Sequence, residues 1–562
     1  MRISSLLKAP RRARRVANIG QKLVAHGFGF LASQLGILKM LPPWARVRGA
    51  GAIPPPDEMP RKFARLLEEL GPTFVKFGQM LSTRPDLLPH EYVEALRRIC
   101  YSVAPFPTDA ARAIIASELN RPVDETFSEF SAEPLASGSI AQVYTARLQD
   151  GTPVVVKVRR PGIERIIDDD LAIMQYLAEQ ADRLEEFRHL RVPMLVSEFA
   201  HGIRRELNFL TEAAYTHRFH TAFKEKGNVA APRVYWDCTT ACVLTMRRLT
   251  GMYLNELDKR PGSGELKRRV ARTILDCFLG QFFEMGTFHA DPHLGNILAS
   301  EHGEVSLVDF GLVGRIGESL RSQLGAFVIA LGSGQLDFAA EVLAEIGSVR
   351  ADTAGDDFRD EVAALLERNF CMPIEKMDLQ RSFLEVMQIV RKYEVVMPRD
   401  FVLLGKALVT VGSMVMQLDP TLNVAKLAEP YARKLARERM TPSALGRALT
   451  VSAHHVGMLL RNAPRDLRLL LGRLRTGSFN LSIQHTGFDR YLRELDRTGN
   501  RLALSIILAA IVMSSTTMMA NKVGPLVHAF GTEASVLGLI GYTLGFVLGA
   551  LLIVAIFRSG KL

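Results

Sequence analysis

The chain has 562 residues, a formal net charge of +11, 48% hydrophobic and 23% charged residues, and five cysteines. At ~100 to 200 residues per domain this length allows three or four folded units, and the composition excludes a disordered, collagenous or low-complexity chain. Cys100, Cys238, Cys242, Cys277 and Cys371 are too sparse for a disulfide framework, and Cys238/Cys242 lack a second Cys or His pair to complete a zinc site, which points to a reducing compartment.

The positive charge is peripheral. Residues 1–56 hold ten Lys/Arg and no acid, and residues 431–501 hold fourteen Lys/Arg against five acids, so the two stretches carry +19 and leave the remainder at about −8. Neither sets its charge beside aromatic stacking platforms or a groove-reading helix, so nucleic acid is not an expected partner. Residues 1–56 have no long apolar h-region and are not a secretory signal. Clustered arginines with interspersed Leu, Val and Phe suit an interfacial helix on anionic membrane lipid, and the same acid-free composition also suits a mitochondrial transit peptide. The Gly- and Pro-rich stretch ending at Asp57 marks a boundary.

In the next segment, GPTFVKFGQMLSTRPDLLP places Lys76 and Gln79 three residues apart on one helix face, where they could enter a cleft together; by residue type alone they read as surface. From Pro134 the pattern turns to short strands, PLASGSIAQVYTARL and then PVVVKV after the turn Gln149-Asp150-Gly151. In a kinase-like fold the small-residue turn lets backbone N–H groups approach ATP phosphates, and Lys157, nineteen residues beyond Gly138, reaches the α/β-phosphates while pairing with a helix carboxylate. The plain alternative is a solvated edge-strand lysine.

The helical run Leu266 to Met285 leads into FHADPHLGNILASEHGEVSLVDFGLVGRI. Asp291 and Asn296 are five apart, and Asp309-Phe310-Gly311 follows eighteen residues after Asp291, beyond a predicted strand from Val305 to Val308. This is kinase spacing: one carboxylate orients or deprotonates the nucleophile, while an amide oxygen and a second carboxylate hold Mg²⁺ against the phosphates. His289 and His293 flank Asp291, and His293 stands where protein kinases usually carry lysine, as in small-molecule phosphotransferases, which argues against a protein substrate. Beyond Gly311 the chain reads as helical to about Asn423, with FVLLGKALVTVGSMVMQL as core packing, and it has no Ala-Pro-Glu anchor.

Two charge-free stretches, Leu502 to Ala520 and Ala534 to Phe557, are about long enough to cross a ~30 Å hydrocarbon layer and predict a helical hairpin. Arg493, Arg497 and Arg501 before the first, and Arg558 and Lys561 after the second, place both ends on the cytoplasmic or matrix side. A buried helix pair in a soluble core is the alternative. Gly541, Gly545 and Gly549 permit close helix approach, either within the hairpin or between the protomers of a homodimer.

With its Lys76-x-Gly78-Gln79 motif, the chain resembles the UbiB/ADCK (aarF domain) family of atypical kinase-like ATPases tied to ubiquinone biosynthesis, over roughly Arg61 to Ala425. The resemblance implies an α+β, atypical protein-kinase-like bilobal fold with an N-terminal helical extension and a C-terminal transmembrane helical hairpin. It implies that the Lys76 helix folds over the cleft where a protein substrate would bind, with Lys76 near the phosphates. Ala136-Ser137-Gly138-Ser139 corresponds to the family's alanine-rich nucleotide loop, with Val143 on the strand that follows, and Met246 and Arg247 fall at the hinge, whose backbone would bind adenine. Glu206 matches the Glu of the family's ExD motif, but Asn208 replaces its Asp; Glu212 is the preferred partner of Lys157, with Glu206 and Glu198 as rivals.

The expected division is 1–56 membrane-surface segment, 57–130 helical extension, 131–255 N-lobe, 256–430 C-lobe, 431–501 basic helical linker and 502–557 two transmembrane helices. The expected function is a membrane-anchored ATPase using ATP and Mg²⁺ in ubiquinone biosynthesis, acting on quinone-precursor lipids alongside other enzymes of that route. Alternatives are a lipid or small-molecule phosphotransferase and a non-catalytic nucleotide-sensing scaffold. The expected location is the bacterial inner membrane with the catalytic part cytoplasmic, or else the matrix side of the mitochondrial inner membrane.

Overall fold

The structure, a computed structural model, describes residues 10–37, 55–99, 105–188, 190–260, 262–347, 354–370, 379–422, 488–529 and 532–558, with a few positions between 427 and 437. The chain forms two compact units, Met1–Ala448 and Leu449–Leu562. Most of the basic stretch 431–501 lies outside the described residues.

In the first unit, strands β1 (Phe127–Phe130), β2 (Ala136–Ser137), β3 (Ala141–Leu148) and β4 (Pro153–Arg159) precede β5 (Val229–Ala230) and β6 (Val243–Arg247). The larger sheet has the order β1-β3-β4-β6, with β2 paired to β3. Strand alternation separates two jobs. Val154, Val156 and Val158 are fully buried and pack with Tyr144, Phe127 and Ile115 of the helix Thr108–Leu119. Val155 and Lys157 point the other way, toward Phe209, Ala213, Leu244 and Met246. Because β1 and the helix Thr108–Leu119 belong to this core, the N-lobe begins near residue 105, whereas the sequence pattern suggested 131.

The extension consists of helices Met59–Leu70, Pro72–Ser82 and His90–Arg97, which share a core with Ile163–Ala181 and Val192–Leu207 through Leu67, Phe74, Leu171 and Phe199. Gly78 is the contact point: a Cβ there would lie 2.8 Å from Ile99 Cδ1 and 3.0 Å from Leu67 Cδ1, so the helices approach closely only without a side chain. The basic N-terminal helix Pro10–Ala25 docks on this layer. Val16 and Ile19 are buried, Arg12 meets Asp169 at 2.6 Å and Arg15 meets Asp170 at 2.7 Å. The expectation of a lipid-facing apolar side is thereby corrected: acids more than 150 residues away engage two of its arginines, and its apolar face packs on protein, leaving Arg11 and Arg14 exposed.

The C-lobe core surrounds helix Gly264–Gly280, with strands β7 (Met252–Tyr253), β8 (Thr287–His289), β9 (Ile297–Ala299), β10 (Val305–Leu307) and β11 (Val313–Arg315) carrying the catalytic loop. Helix Arg399–Leu418 is long and apolar enough to cross a membrane, but half of it is buried here, with Val402, Leu404 and Val411 inside the core.

The second unit is a helical hairpin of Phe488–Ala520 and Val536–Arg558 joined through the antiparallel strands β12 (Leu526–Ala529) and β13 (Thr532–Ser535). Ala534 lies in a strand, so the second helix starts two residues later than its apolar run suggested. The glycine ridge packs within this hairpin: a Cβ on Gly541 would overlap Ser515 Oγ, one on Gly545 would lie 3.2 Å from Val512, and one on Gly549 3.4 Å from Leu508. Ile506, Ile507, Met513 and Phe546 point outward, Phe546 at 79% exposure.

Candidate active site

Helix Phe209–Lys224 organises the site from its two ends. Asn208 caps it, its Oδ1 accepting the Leu210 N–H at 3.1 Å, so this residue fixes the helix start and does not border the cleft. One turn later Glu212 accepts both contacts from Lys157 Nζ, at 2.9 and 2.8 Å, with Glu212 only 6% exposed. Farther on, Phe219 stacks on Phe310 with centroids 4.7 Å apart, tying the Asp-Phe-Gly segment to the same helix. Burial opposes the charge of Lys157, but Glu212 and then Asp309 outweigh it and hold its pKa well above the usual lysine value.

Asp309 follows β10 and accepts the Gly311 N–H on Oδ1 at 2.7 Å. Burial would raise its pKa, yet Lys157 and that amide outweigh it and keep the carboxylate ionised. His289, on β8, is 1% exposed and lies against Phe278 and Phe310. Its Nδ1 accepts the Asp291 N–H at 3.3 Å and its Nε2 is buried with no partner among the described residues, while burial lowers its pKa, so the imidazole is neutral. Asn296 donates from Nδ2 to the Asp291 carbonyl at 3.2 Å, leaving its side-chain oxygen as the acceptor toward the cleft. His293 Nδ1 accepts the Gly295 N–H at 3.1 Å and caps its own turn.

His289, Asp291, His293, Asn296, Asp309 and Gly311 border a cavity of about 560 Å³, together with Lys76, Gln79, Glu206 and Glu212; Lys157 stands behind Glu212 and does not itself border it. Lys76 forms an ion pair with Glu206, so the extension helix does reach the cleft and does so through the residue matched to the ExD motif. Ala136, Ser137, Gly138, Ser139, Val143, Met246 and Arg247 do not border this cavity. Val143 pairs directly with Lys157 across the β3–β4 ladder and shares its face. The loop is tight: Gly138 N–H donates to Ala141 O at 2.8 Å, and Arg160 donates to Ser137 Oγ and Gly138 O, each at 3.2 Å. At the hinge, the amides of Arg247 and Arg248 already donate to Arg233 O and Pro153 O, which removes both as donors to a base.

No group of three or more His, Cys, Asp or Glu side chains able to hold a metal occurs among the described residues. Magnesium fits nonetheless, because it is commonly held by one or two protein oxygens plus phosphate oxygens and water, and Asp309 with Asn296 supplies that minimum.

Sequence reasoning missed three residues here. Lys406 Nζ lies 3.0 Å from Asp291 Oδ1, and with burial acting in the opposite direction this pairing keeps the Asp291 pKa below the usual range. Arg84, 7% exposed, forks onto Asp86 at 2.8 Å and reaches Glu198 at 3.3 Å, and Glu198 in turn meets Arg399 at 2.9 Å. The usable signal was a lone lysine inside the apolar run FVLLGKALV, seven residues after Arg399 and therefore on its face.

The chain matches the profile of the ABC1 atypical kinase-like domain over residues 98–343, of the UbiB helical domain over 362–423 and of the ABC1/UbiB kinase-like C-terminal domain over 486–558. A protein named "Probable protein kinase UbiB" from Marinobacter nauticus is 34% identical over 72% of this chain and 74% of its own length. One of the same name from Pseudomonas paraeruginosa is 33% identical over 77% of this chain and 84% of its own. An uncharacterised protein from the hydrogenase 1 5' region of Clostridium pasteurianum is 25% identical over 98% of this chain and 99% of its own.

Proposed function

The chain belongs to the UbiB/ADCK family of kinase-like proteins, and on that premise we propose that it is a membrane-anchored, Mg²⁺-dependent ATPase that supports ubiquinone biosynthesis by acting on lipid quinone intermediates. The observation that carries this reading is the buried Lys157–Glu212 pair beside an ionised Asp309, in a cleft that the Lys76–Glu206 pair borders from the extension. In this reading Lys157 contacts the α/β-phosphates, and Asp309 and the Asn296 oxygen hold the metal, which supplies charge neutralisation at the γ-phosphate. Asp291, held ionised, orients the attacking water or accepts its proton. In this reading the extension helix, which reaches the cavity through Lys76 and Gln79, occupies the place of a protein acceptor. The apolar exterior of the hairpin supports anchoring, and the arginines flanking it favour a cytoplasmic catalytic unit in a bacterial inner membrane.

The test is phosphate release by the full-length protein with and without Mg²⁺, anionic vesicles and a phenolic quinone-precursor analogue. Release that requires Mg²⁺ and rises with vesicles and analogue is expected. A stable phosphorylated analogue would replace the ATPase reading with phosphoryl transfer, and the absence of both nucleotide binding and turnover would leave only a scaffold.

A further inference from the structure

Helix Arg399–Leu418 lies outside the segment matched as kinase-like, yet one of its faces borders the catalytic cavity through Arg399, Leu403 and Lys406, spaced i, i+4 and i+7. The helix is fixed at that end by the Arg399–Glu198 contact, which continues to Arg84 of the extension, and Gly405 seats against Phe383 so closely that a Cβ would overlap its ring. Lys406 is thus delivered by a packed element, and its one side-chain partner among the described residues is Asp291. An ammonium group has three N–H donors, so two remain to be used.

The charges in the cleft say what for. Lys157 pairs with Glu212, and Lys76 pairs with Glu206. Glu198 pairs with Arg84 and Arg399, and Arg97 and Arg205 also border the cavity; of its carboxylates this leaves Asp291 and Asp309, and Asp309 is the one assigned to the metal. With Asp309 assigned to the metal, a γ-phosphate brought beside Asp291 would still meet one carboxylate, and Lys406 is the cation already in contact with it. The catalytic loop does not provide a lysine for this, because His293 occupies that position and its Nδ1 is committed to capping Gly295.

We propose that Lys406, supplied by the helical domain, contacts the γ-phosphoryl group of bound ATP and provides the positive charge that the catalytic loop lacks at His293. This rests on the ATPase reading above. One N–H stays on Asp291 and the others reach the phosphoryl oxygens, so the residue both holds Asp291 in place and stabilises charge on the group being transferred.

The experiment uses full-length protein with Lys406→Met, Lys406→Arg and the double variant Lys406→Met/His293→Lys, measuring Mg·ATP and Mg·ADP affinities separately from kcat. Lys406→Met is expected to leave Mg·ADP affinity within about twofold, weaken Mg·ATP about tenfold and lower kcat by ~10² or more. Lys406→Arg should regain part of the ATP affinity, and lysine restored at 293 should regain part of kcat in the Met background. Equal losses for ATP and ADP, or an unchanged kcat, would overturn the proposal, the first by reducing Lys406 to a packing role. Wild-type protein that binds neither nucleotide would overturn the ATPase reading and this inference with it; wild type that turns over beside an unaffected Lys406→Met would overturn this inference alone.

Discussion

Replacing Glu212 by glutamine changes almost no volume and removes one charge from a buried pair. Both Glu212 oxygens lie within 2.9 Å of Lys157 Nζ, and the Phe209 ring sits 5.4 Å from the ammonium, so water cannot readily take the place of the carboxylate. Breaking a buried pair from one side costs roughly 3–5 kcal/mol. Asp309 stays near Lys157 and limits the loss, which puts the expected destabilisation at the low end, ~3 kcal/mol. At ~2 °C per kcal/mol for a unit of this size, the melting transition of the kinase-like unit should fall by ~6 °C. The control is Glu129→Gln, which breaks the Arg147–Glu129 pair, where the side chains are 50% and 72% exposed; it should cost no more than ~0.5 kcal/mol. Differential scanning calorimetry of both variants and wild type reads the comparison, and titration with Mg·ATP should show about tenfold weaker binding for Glu212→Gln as Lys157 loses its orientation. If the two variants melt together, the buried pair does not hold the lobe and the reasoning fails.

Three further outcomes follow from the same geometry. Asp309→Asn should abolish most of the thermal stabilisation given by Mg·ATP while leaving the ligand-free melting temperature within a few degrees, and a retained Mg·ATP shift would remove Asp309 from the metal site. Lys76→Ala frees Glu206 at the cleft and should change the ratio of ATP to ADP affinity; titrations overlaying wild type for both nucleotides would make the Lys76–Glu206 pair purely structural. Full-length protein should remain with membranes after carbonate and high salt because its apolar spans do not depend on charge, whereas extraction by salt alone would contradict the anchor.

What the sequence disclosed and what it hid divide along contact range. Asp291, Asn296 and Asp309 fall within nineteen residues, so the loop that brings them together is local and its spacing is visible. Lys157 and Glu212 are 55 apart, and only the resemblance to the family's acidic helix made Glu212 the preferred partner, with Glu206 and Glu198 as rivals until the fold brought Glu212 to the lysine. Lys406 is 115 residues from Asp291, and in an apolar helix its charge looked incidental. The same distance concealed Asp169 and Asp170 as partners for the N-terminal arginines, and an Arg-rich helix without nearby acids was therefore read as facing lipid. The N-lobe boundary was missed because β1 is four residues long and joins the sheet only by pairing with β3. Asn208 stood out only as a replacement for the family's Asp, and its place as the cap of helix Phe209–Lys224 depends on backbone geometry that the sequence does not display.

The substitutions that set this cleft apart are linked through charge. An extension lysine and a helical-domain lysine each meet a carboxylate at the cavity wall, Lys76 with Glu206 and Lys406 with Asp291, from segments that flank the kinase-like core in sequence. Arg84 and Arg399 meet at Glu198 between them, so the extension and the helical domain are joined by a mostly buried ionic contact at the cavity wall. Removing Glu198 would leave Arg84 with Asp86 but Arg399 without its carboxylate, a cost that falls on the end of the helix that carries Lys406. The extension and the helical domain therefore meet through Glu198 at the wall of one cavity.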